Sequence, residues 1–278
     1  MDQLEALKME LTCQCPELEL REKEPMSRHT SFHIGGPAAL MALPKSESQA
    51  EAAVRAAHEM GVVPFFMGNG SNLLVPDEGV DRFLVKSVPG LDWCRLEGEA
   101  LLAGAGITLA RLAVFARDAG LTGLEFAHGI PGSLGGAVTM NAGAYGGEMA
   151  QVVCSVDCLT CSGERETVTD CGFGYRHSAF SDGSRMILGA RLALQPGDRE
   201  AIRGRMEELA ARRQAKQPLE LPSAGSMFKR PPGYFAGALI DQCGLRGLTV
   251  GGAQVSEKHA GFVVNRGGAT CADVLALV

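Results

Sequence analysis

The stretch His128-Gly-Ile-Pro-Gly-Ser-Leu-Gly-Gly-Ala-Val-Thr-Met-Asn-Ala-Gly-Ala-Tyr-Gly-Gly147 carries seven glycines, at 129, 132, 135, 136, 143, 146 and 147. Glycine loses more conformational entropy on folding than any other residue. A run this dense must serve something: backbone that comes very close to another object, or N–H groups aimed at an anion. Pro131 fixes its own φ and limits the slack. Leu134, Ala137, Val138, Met140 and Ala142 are too apolar for an exposed loop. The stretch therefore reads as a rigid polar cradle for a phosphate-bearing cofactor, in preference to a long surface loop.

Upstream, residues 2–12 place Leu4, Leu7 and Leu11 at helical spacing. In Glu24-Pro-Met-Ser-Arg-His-Thr-Ser-Phe-His-Ile-Gly-Gly-Pro37, the polar residues Arg28, Thr30 and Ser31 precede a Gly-Gly-Pro turn. That segment is either an ordinary entry strand and turn or a polar contact to a ligand. A helix is predicted from Ser46, its N-cap, to about Met60, with Gly61 at C′. Val62–Met67 reads as a strand that ends in Gly68-Asn-Gly-Ser-Asn72. This is not a dinucleotide fingerprint, which needs a helix after the glycines. Leu73–Val75 instead reads as a second short strand, making the turn between them a phosphate nest or a plain tight hairpin. Strand patterns follow at 83–85, 93–96 and 100–105, then a helix over 107–119 with Thr108 near its start and Gly120 at its end. The alternation is that of an α+β protein.

Downstream, Gln151–Thr160 and Arg165–Thr169 read as strands, followed by Cys171-Gly-Phe-Gly-Tyr-Arg-His-Ser178. Arginine in a short, aromatic, Gly-flexed segment often grips a carboxylate or phosphate with two parallel hydrogen bonds, so Arg176 is a candidate; a surface salt bridge is the plainer reading. Met186–Leu194 reads as a strand, and Asp198 caps a charged helix to about Lys216. A second domain is placed from about Pro196. Gly225-Ser-Met-Phe-Lys229 lacks the Gly-x-Ser-x-Gly elbow of a serine hydrolase. A serine beside Lys229 and Arg230 can instead give up a proton, because the cations stabilise the alkoxide left behind. Tyr234–Cys243 reads as a helix, residues 251–265 as strand, turn and strand with Lys258 and His259 in the turn, and Thr270 as the cap of a last helix.

A chain of 278 residues exceeds the usual size of a single core, so two domains are expected. Its net charge of −6 argues against nucleic acid or an anionic membrane as the main partner. The N-terminus has no basic and apolar leader pattern, and no run is apolar for the ~18 residues of a membrane span, so a cytoplasmic protein is expected. The nine cysteines are odd in number; Cys154, Cys158 and Cys161 lie along a strand and its turn, which suits free thiols better than a metal cluster. No metal site is expected.

Seven motifs now stand in order: Thr30-Ser-Phe-His-Ile-Gly-Gly-Pro37, Gly68-Asn-Gly-Ser-Asn72, Gly129-Ile-Pro-Gly-Ser-Leu-Gly-Gly136, Met140-Asn-Ala-Gly-Ala-Tyr-Gly146, Gly174-Tyr-Arg-His-Ser178, Gly225-Ser-Met-Phe-Lys229 and Lys258-His-Ala-Gly-Phe-Val-Val-Asn265. In this order and spacing the chain resembles the UDP-N-acetylenolpyruvoylglucosamine reductase family, from about residue 25 onward, in the group that lacks an inserted tyrosine loop. The resemblance implies an α+β fold: a two-part FAD-binding domain of the vanillyl-alcohol-oxidase type plus a smaller α+β substrate-binding domain. The expected division is a lead-in over 1–27, the FAD domain over 28–196 and the substrate domain over 197–278. FAD would be bound non-covalently, with NADPH as co-substrate and the UDP-sugar enolpyruvate as substrate; the protein would act as a monomer.

The resemblance also implies roles. The cofactor, its pyrophosphate on the glycine amides, would be held by Arg28, Thr30, Ser31, Gly68, Asn69, Gly70, Ser71, Asn72, Gly129, Gly132, Ser133, Gly135, Gly136, Ala137 and Asn141. Flavin N5 would pass hydride to C3 of the enolpyruvyl group, Arg176 would hold the carboxylate that gathers negative charge, and Ser226 would protonate C2. Tyr175, Lys229, Arg230 and His259 would bind substrate. The family's third catalytic group is a glutamate beyond the last helix; the sequence ends at Val278 inside that helix, so the chain is expected to continue and no glutamate is assigned. Two other functions stay open: another FAD oxidase of the same fold, disfavoured because Gly68–Asn72 offers no His or Cys for covalent attachment, and a nucleotide-binding module without catalysis.

Overall fold

The computed structural model of the protein describes residues 2–278. The chain forms two compact units, and they interleave along the sequence. One takes residues up to Glu22, Ala39–Asn69 and Arg82–Ala210; the other takes Lys23–Ala38, Gly70–Asp81 and Ala211–Val278. This division is not a single cut near residue 196: the long helix Arg199–Lys216 belongs for most of its length to the first unit, and two earlier segments belong to the second.

In the first unit, α1 (Gln3–Gln14) buries Leu7 and Leu11, as their spacing requires. Strands β1 (Glu19–Pro25), β2 (Pro37–Leu43), β3 (Phe65–Met67) and β4 (Val80–Lys86) form a four-stranded sheet in the order β1-β2-β4-β3. Helix α2 (Glu47–Glu59) lies between β2 and β3 in the chain. The Ser46 hydroxyl caps it by accepting from Gln49 N at 3.3 Å, and Gly61 follows at φ +66°. Strands β3 and β4 are parallel, Phe65 facing Leu84 and Met67 facing Lys86. Parallel neighbours cannot be joined by a tight turn, and residues 68–79 supply the longer connection they need. A five-stranded antiparallel sheet contains β5 (Cys94–Glu97) and β6 (Ala100–Gly104), in the order 165–168, 153–159, 186–193, β6, β5. After β6 comes α3 (Leu109–Asp118), capped by Thr108.

The glycine-rich stretch holds more regular structure than its composition suggested. Leu134–Thr139 form a short helix, α4. Leu134 and Val138 are wholly buried and Ala137 nearly so, in the same core as Ile107, Val156 and Leu188. Burying Leu134 and Val138 contributes roughly 1.5–3 kcal/mol each, and this anchors the cradle. The helix ends in a Schellman motif: Ala142 N donates to Ala137 O at 2.8 Å, and Asn141 N donates to Val138 O at 3.2 Å. The left-handed C′ residue, where glycine is usual, is Asn141, at φ +40°. The next helix, α5 (Arg199–Lys216), buries Ile202, Met206 and Leu209.

The second unit has its own core of Phe32, Ile34, Ala253, Val263 and Val274, joined by Leu74 and Met227. A three-stranded sheet of 249–250, 253–255 and 263–265 lies in it. Helix α6 (Ala236–Gln242), shorter than the predicted Tyr234–Cys243, buries none of its residues. The last helix, α7 (Cys271–Leu277), is capped twice. Thr270 and Asp273 form a capping box, and the Asp77 carboxylate accepts from Cys271 N at 2.7 Å and Ala272 N at 2.9 Å. Leu73–Val75 form no strand, so the second short strand expected after Gly68–Asn72 is absent, and the plain-hairpin alternative goes with it. The chain there leaves the first unit at Asn69 and enters the second at Gly70.

Among the described residues no group of three or more His, Cys, Asp or Glu side chains is placed to hold a metal. All nine cysteines are free, and burial pushes the Cys158 thiol up to about 11. No helix among the described residues is long and apolar enough to cross a membrane.

Candidate functional site

Helix α4 begins at Ser133, whose extended backbone turns the chain into the helix. Gly129 and Gly132 lie in the loop that leads into it, and Gly132 O accepts from Leu109 N at 3.0 Å. Gly135 packs against Ala105, where an added Cβ would lie 3.0 Å from the Ala105 Cβ. Its amide donates to Ala105 O at 2.9 Å, and the Leu134 amide to Ile107 O at 2.9 Å. The Ala137 amide donates to Ser133 O at 2.9 Å. The amides of Gly135 and Ala137 are therefore occupied inside the protein and cannot serve as phosphate donors, which corrects the expectation for these two. Close helix-to-strand packing takes the first, and the opening turn of α4 takes the second.

Two groups at this helix start stay open. The Ser133 hydroxyl is buried and has no hydrogen-bond partner among the described residues. The exposed Gly136 amide finds no acceptor among the described residues. Gly68 lies against the same place: a Cβ there would come within 2.2 Å of Ser133 Oγ. Residue 68 must therefore be glycine for the end of β3 to approach the hydroxyl. An unsatisfied buried hydroxyl costs about 1–3 kcal/mol, and a ligand oxygen beside it removes that cost. These residues fit the phosphate oxygens of a dinucleotide.

In the second unit, Gly70 adopts φ +65°, and a Cβ would fall 2.0 Å from His29 O. Ser31 N donates to Gly70 O at 3.2 Å. The backbone N–H groups of Asn69, Gly70, Ser71 and Asn72 make no hydrogen bond among the described residues. Thr30 and Ser31 are committed elsewhere: Thr30 Oγ1 donates to Ile34 O at 2.9 Å, and Ser31 Oγ to Ser223 O at 2.7 Å. They build the floor under the turn, so neither hydroxyl proton is left for the cofactor contact expected of these two residues. Glu24 and His29 stiffen the same place through a buried contact of 2.9 Å between Oε1 and Nε2. Arg28 ends a short 3₁₀ helix and is exposed.

Arg176 sits at the tip of a four-residue turn closed at both ends: Gly174 N donates to His177 O at 3.0 Å and His177 N to Gly174 O at 3.2 Å. Its own φ is +53°, strained for a residue with a side chain. Its guanidinium lies 5.8 Å from the centre of the exposed Tyr175 ring. The turn is clamped from below by the last residue of α4 and by Asn141 two residues beyond it. Asn141 Nδ2 donates to Gly174 O at 3.1 Å, while Asn141 Oδ1 accepts from Ala150 N at 2.9 Å. Ser178 Oγ donates to Thr139 O at 2.8 Å and Ser181 Oγ to the same oxygen at 3.1 Å. The sequence points to Asn141 as a cofactor contact; its side-chain amide is engaged with protein instead. The clamp is invisible in the sequence because Asn141, Ser178 and Ser181 meet only in three dimensions.

In the second unit, Ser226 is exposed and its hydroxyl makes no hydrogen bond among the described residues. It follows Gly225 at φ +82° and is held by a single bridge to Phe262, with Met227 N donating to Gly261 O at 2.9 Å. Lys229 and Arg230 follow, exposed, the Arg230 guanidinium 4.4 Å over the Phe235 ring. His259 packs edge-on against Phe262 at 4.9 Å, and its Nδ1 accepts from Gly261 N at 3.1 Å. Burial holds its pKa below the ordinary imidazole value. Only Nε2 remains for a ligand, and it carries the proton of a neutral ring.

Residues 38–169 match the model of an FAD binding domain, and residues 217–278 match the C-terminal domain of UDP-N-acetylenolpyruvoylglucosamine reductase. The chain is 48% identical over 265 residues to the UDP-N-acetylenolpyruvoylglucosamine reductase of Pediococcus pentosaceus, covering 95% of this chain and 88% of that protein. A crystal structure of the enzyme of that name from Thermus caldophilus superposes with a TM-score of 0.81 at 37% identity, over 94% of this chain and 92% of the other. A cholesterol oxidase from Brevibacterium sterolicum shares the fold at a TM-score of 0.52 and 14% identity, over 65% of this chain and 38% of that one.

Proposed function

The chain belongs to the UDP-N-acetylenolpyruvoylglucosamine reductase family, and on that premise we propose that Arg176 and Ser226 divide the protein's share of an NADPH-dependent reduction of the enolpyruvyl group of UDP-N-acetylglucosamine enolpyruvate. Two-electron chemistry, drawn from NADPH and delivered to C3 of that group, is what FAD supplies when bound. Ser133 Oγ, the Gly136 amide and the amides of Asn69–Asn72 would hold its phosphates.

Reduction at C3 pushes an electron pair toward C2 and the carboxylate. The planar guanidinium of Arg176 matches a carboxylate with two parallel hydrogen bonds and stabilises the charge where it grows. Ser226 Oγ then gives its proton to C2, closing the balance: two electrons and one proton at C3, one proton at C2. The cations at Lys229 and Arg230 ease that transfer by favouring the alkoxide, which solvent reprotonates. Tyr175 and His259 Nε2 are proposed contacts for the rest of the substrate.

The observation that carries the reading is the buried, partnerless Ser133 hydroxyl at the start of α4, with the open Gly136 amide beside it. The test is anaerobic. NADPH should bleach the flavin of the purified protein, and the enolpyruvyl sugar nucleotide alone should restore its colour. Bleaching by a hydroxy acid instead would mark an oxidase. A protein that stays colourless even after FAD is added would remove both enzymes and leave a binding module.

A further inference from the structure

We infer that Asn141 is a positioning residue for Arg176, setting the direction of the guanidinium through the carbonyl of Gly174; the inference rests on the reading that Arg176 holds the substrate carboxylate. Three observations point the same way. Asn141 occupies the left-handed C′ position of α4, where glycine is the least strained choice. Asparagine tolerates that conformation, and here it brings a side chain that glycine lacks. That side chain is 3% exposed and satisfied on both sides, Oδ1 from Ala150 N at 2.9 Å and Nδ2 to Gly174 O at 3.1 Å.

Gly174 O accepts a second hydrogen bond, from His177 N at 3.2 Å, so both of its lone pairs are used. With the carbonyl fixed, the two tip residues, Tyr175 and Arg176, have little freedom left. Arg176 at φ +53° would otherwise relax toward the common right-handed or extended regions. The asparagine therefore stabilises a strained conformation far along the chain from its own backbone. The nearby Ser178 and Ser181 hydroxyls pin the stem to Thr139 O, but neither reaches the tip. Asn141 also grows from the C-terminal end of the helix whose N-terminal end presents Ser133 Oγ. One six-residue helix thus relates the phosphate cradle to the carboxylate grip.

The test uses the FAD-loaded enzyme and two replacements. Asn141→Asp keeps the acceptor for Ala150 N and sets a carboxylate against the Gly174 carbonyl. Asn141→Gly relieves the backbone and deletes both bonds, so it covers the case in which the aspartate variant fails to fold. In either, FAD affinity by fluorescence titration and the rate of flavin bleaching by NADPH should stay within about twofold of the parent. The calorimetric Kd for the enolpyruvyl sugar nucleotide should rise about tenfold, the scale of one lost orienting hydrogen bond. In an Arg176→Ala background the same replacements should change that Kd by less than about twofold, because there is no guanidinium left to aim. An equal loss in both backgrounds, or weaker FAD binding with substrate affinity intact, would overturn the inference. An Arg176→Ala enzyme that binds the sugar nucleotide as well as the parent would overturn the underlying reading instead.

Discussion

Arg176 and Ser226 stand in opposite kinds of surroundings. The arginine turn is closed at both ends, and three side chains tie its root and its Gly174 carbonyl to the end of α4 and to Asn141 at the C′ position. The serine lies on an exposed segment, after a left-handed glycine, held to Phe262 by backbone alone. The difference matches the two tasks proposed for them. A bidentate grip on a carboxylate loses its advantage when the fork is misaligned, so its geometry must exist before the ligand arrives. A hydroxyl that delivers one proton has a rotor of its own and needs less scaffolding. Lightly held segments are also the ones that can open locally to admit a large substrate.

The sharpest way to break the contrast is Ser226→Ala. Colour return on adding the sugar nucleotide should slow by ~10²-fold or more while bleaching by NADPH persists, the usual scale for a lost proton donor. Equal slowing of both steps would make the serine a shaping residue. Next is Arg176→Lys, which keeps the charge and loses the fork; substrate affinity should fall by about tenfold. If lysine serves as well, alignment is unimportant and the clamp beneath it has another purpose.

A smaller effect compares the two supports directly. The Ser178 hydroxyl donates to Thr139 O at 2.8 Å. Removing it with Ser178→Ala should lower stability in urea by about 1 kcal/mol. Ser223 Oγ accepts from Gly225 N at only 3.5 Å. Ser223→Ala should therefore stay within about 0.5 kcal/mol of the parent. Smallest is a pH effect. Burial holds the imidazoles of both His128 and His259 below their ordinary pKa. Below about pH 6.5 the unfolded chain then binds more protons than the folded one. The stability that these two sites contribute therefore falls as the pH drops through that value. Melting curves on the alkaline and acid sides of it should show the loss, and His128→Gln and His259→Gln should each reduce the difference.

Local signals in the sequence translated well. Ser46, Thr108, Asp198 and Thr270 each accept the cap bonds their positions promised, and Gly61 and Gly120 take left-handed conformations after their helices. These depend on neighbours within a few residues. What depended on distant partners was not legible. The amide of Gly135 looks free in the sequence because the carbonyl that takes it, on Ala105, lies far upstream; the helix turn that consumes the Ala137 amide is hidden by glycines. The hydroxyls of Thr30 and Ser31 look like ligand contacts until Ile34 O and Ser223 O claim them. Leu73–Val75 looks like a strand, yet with no partner beside it an apolar triplet forms none.

The interleaved path has a practical consequence for anyone who would cut or recombine this chain. Residues 217–278 carry a self-contained family signature, yet the apolar centre they fold around is completed by Phe32 and Ile34, and their last helix is capped by Asp77. Expressed alone, that fragment would lack its hydrophobic plug and half of its helix cap, and should remain unfolded. A chimera between relatives would have to exchange residues 23–38, 70–81 and 211–278 as one set. The heritable module is three strips of sequence, and crossover points chosen from the linear family boundary would sever it.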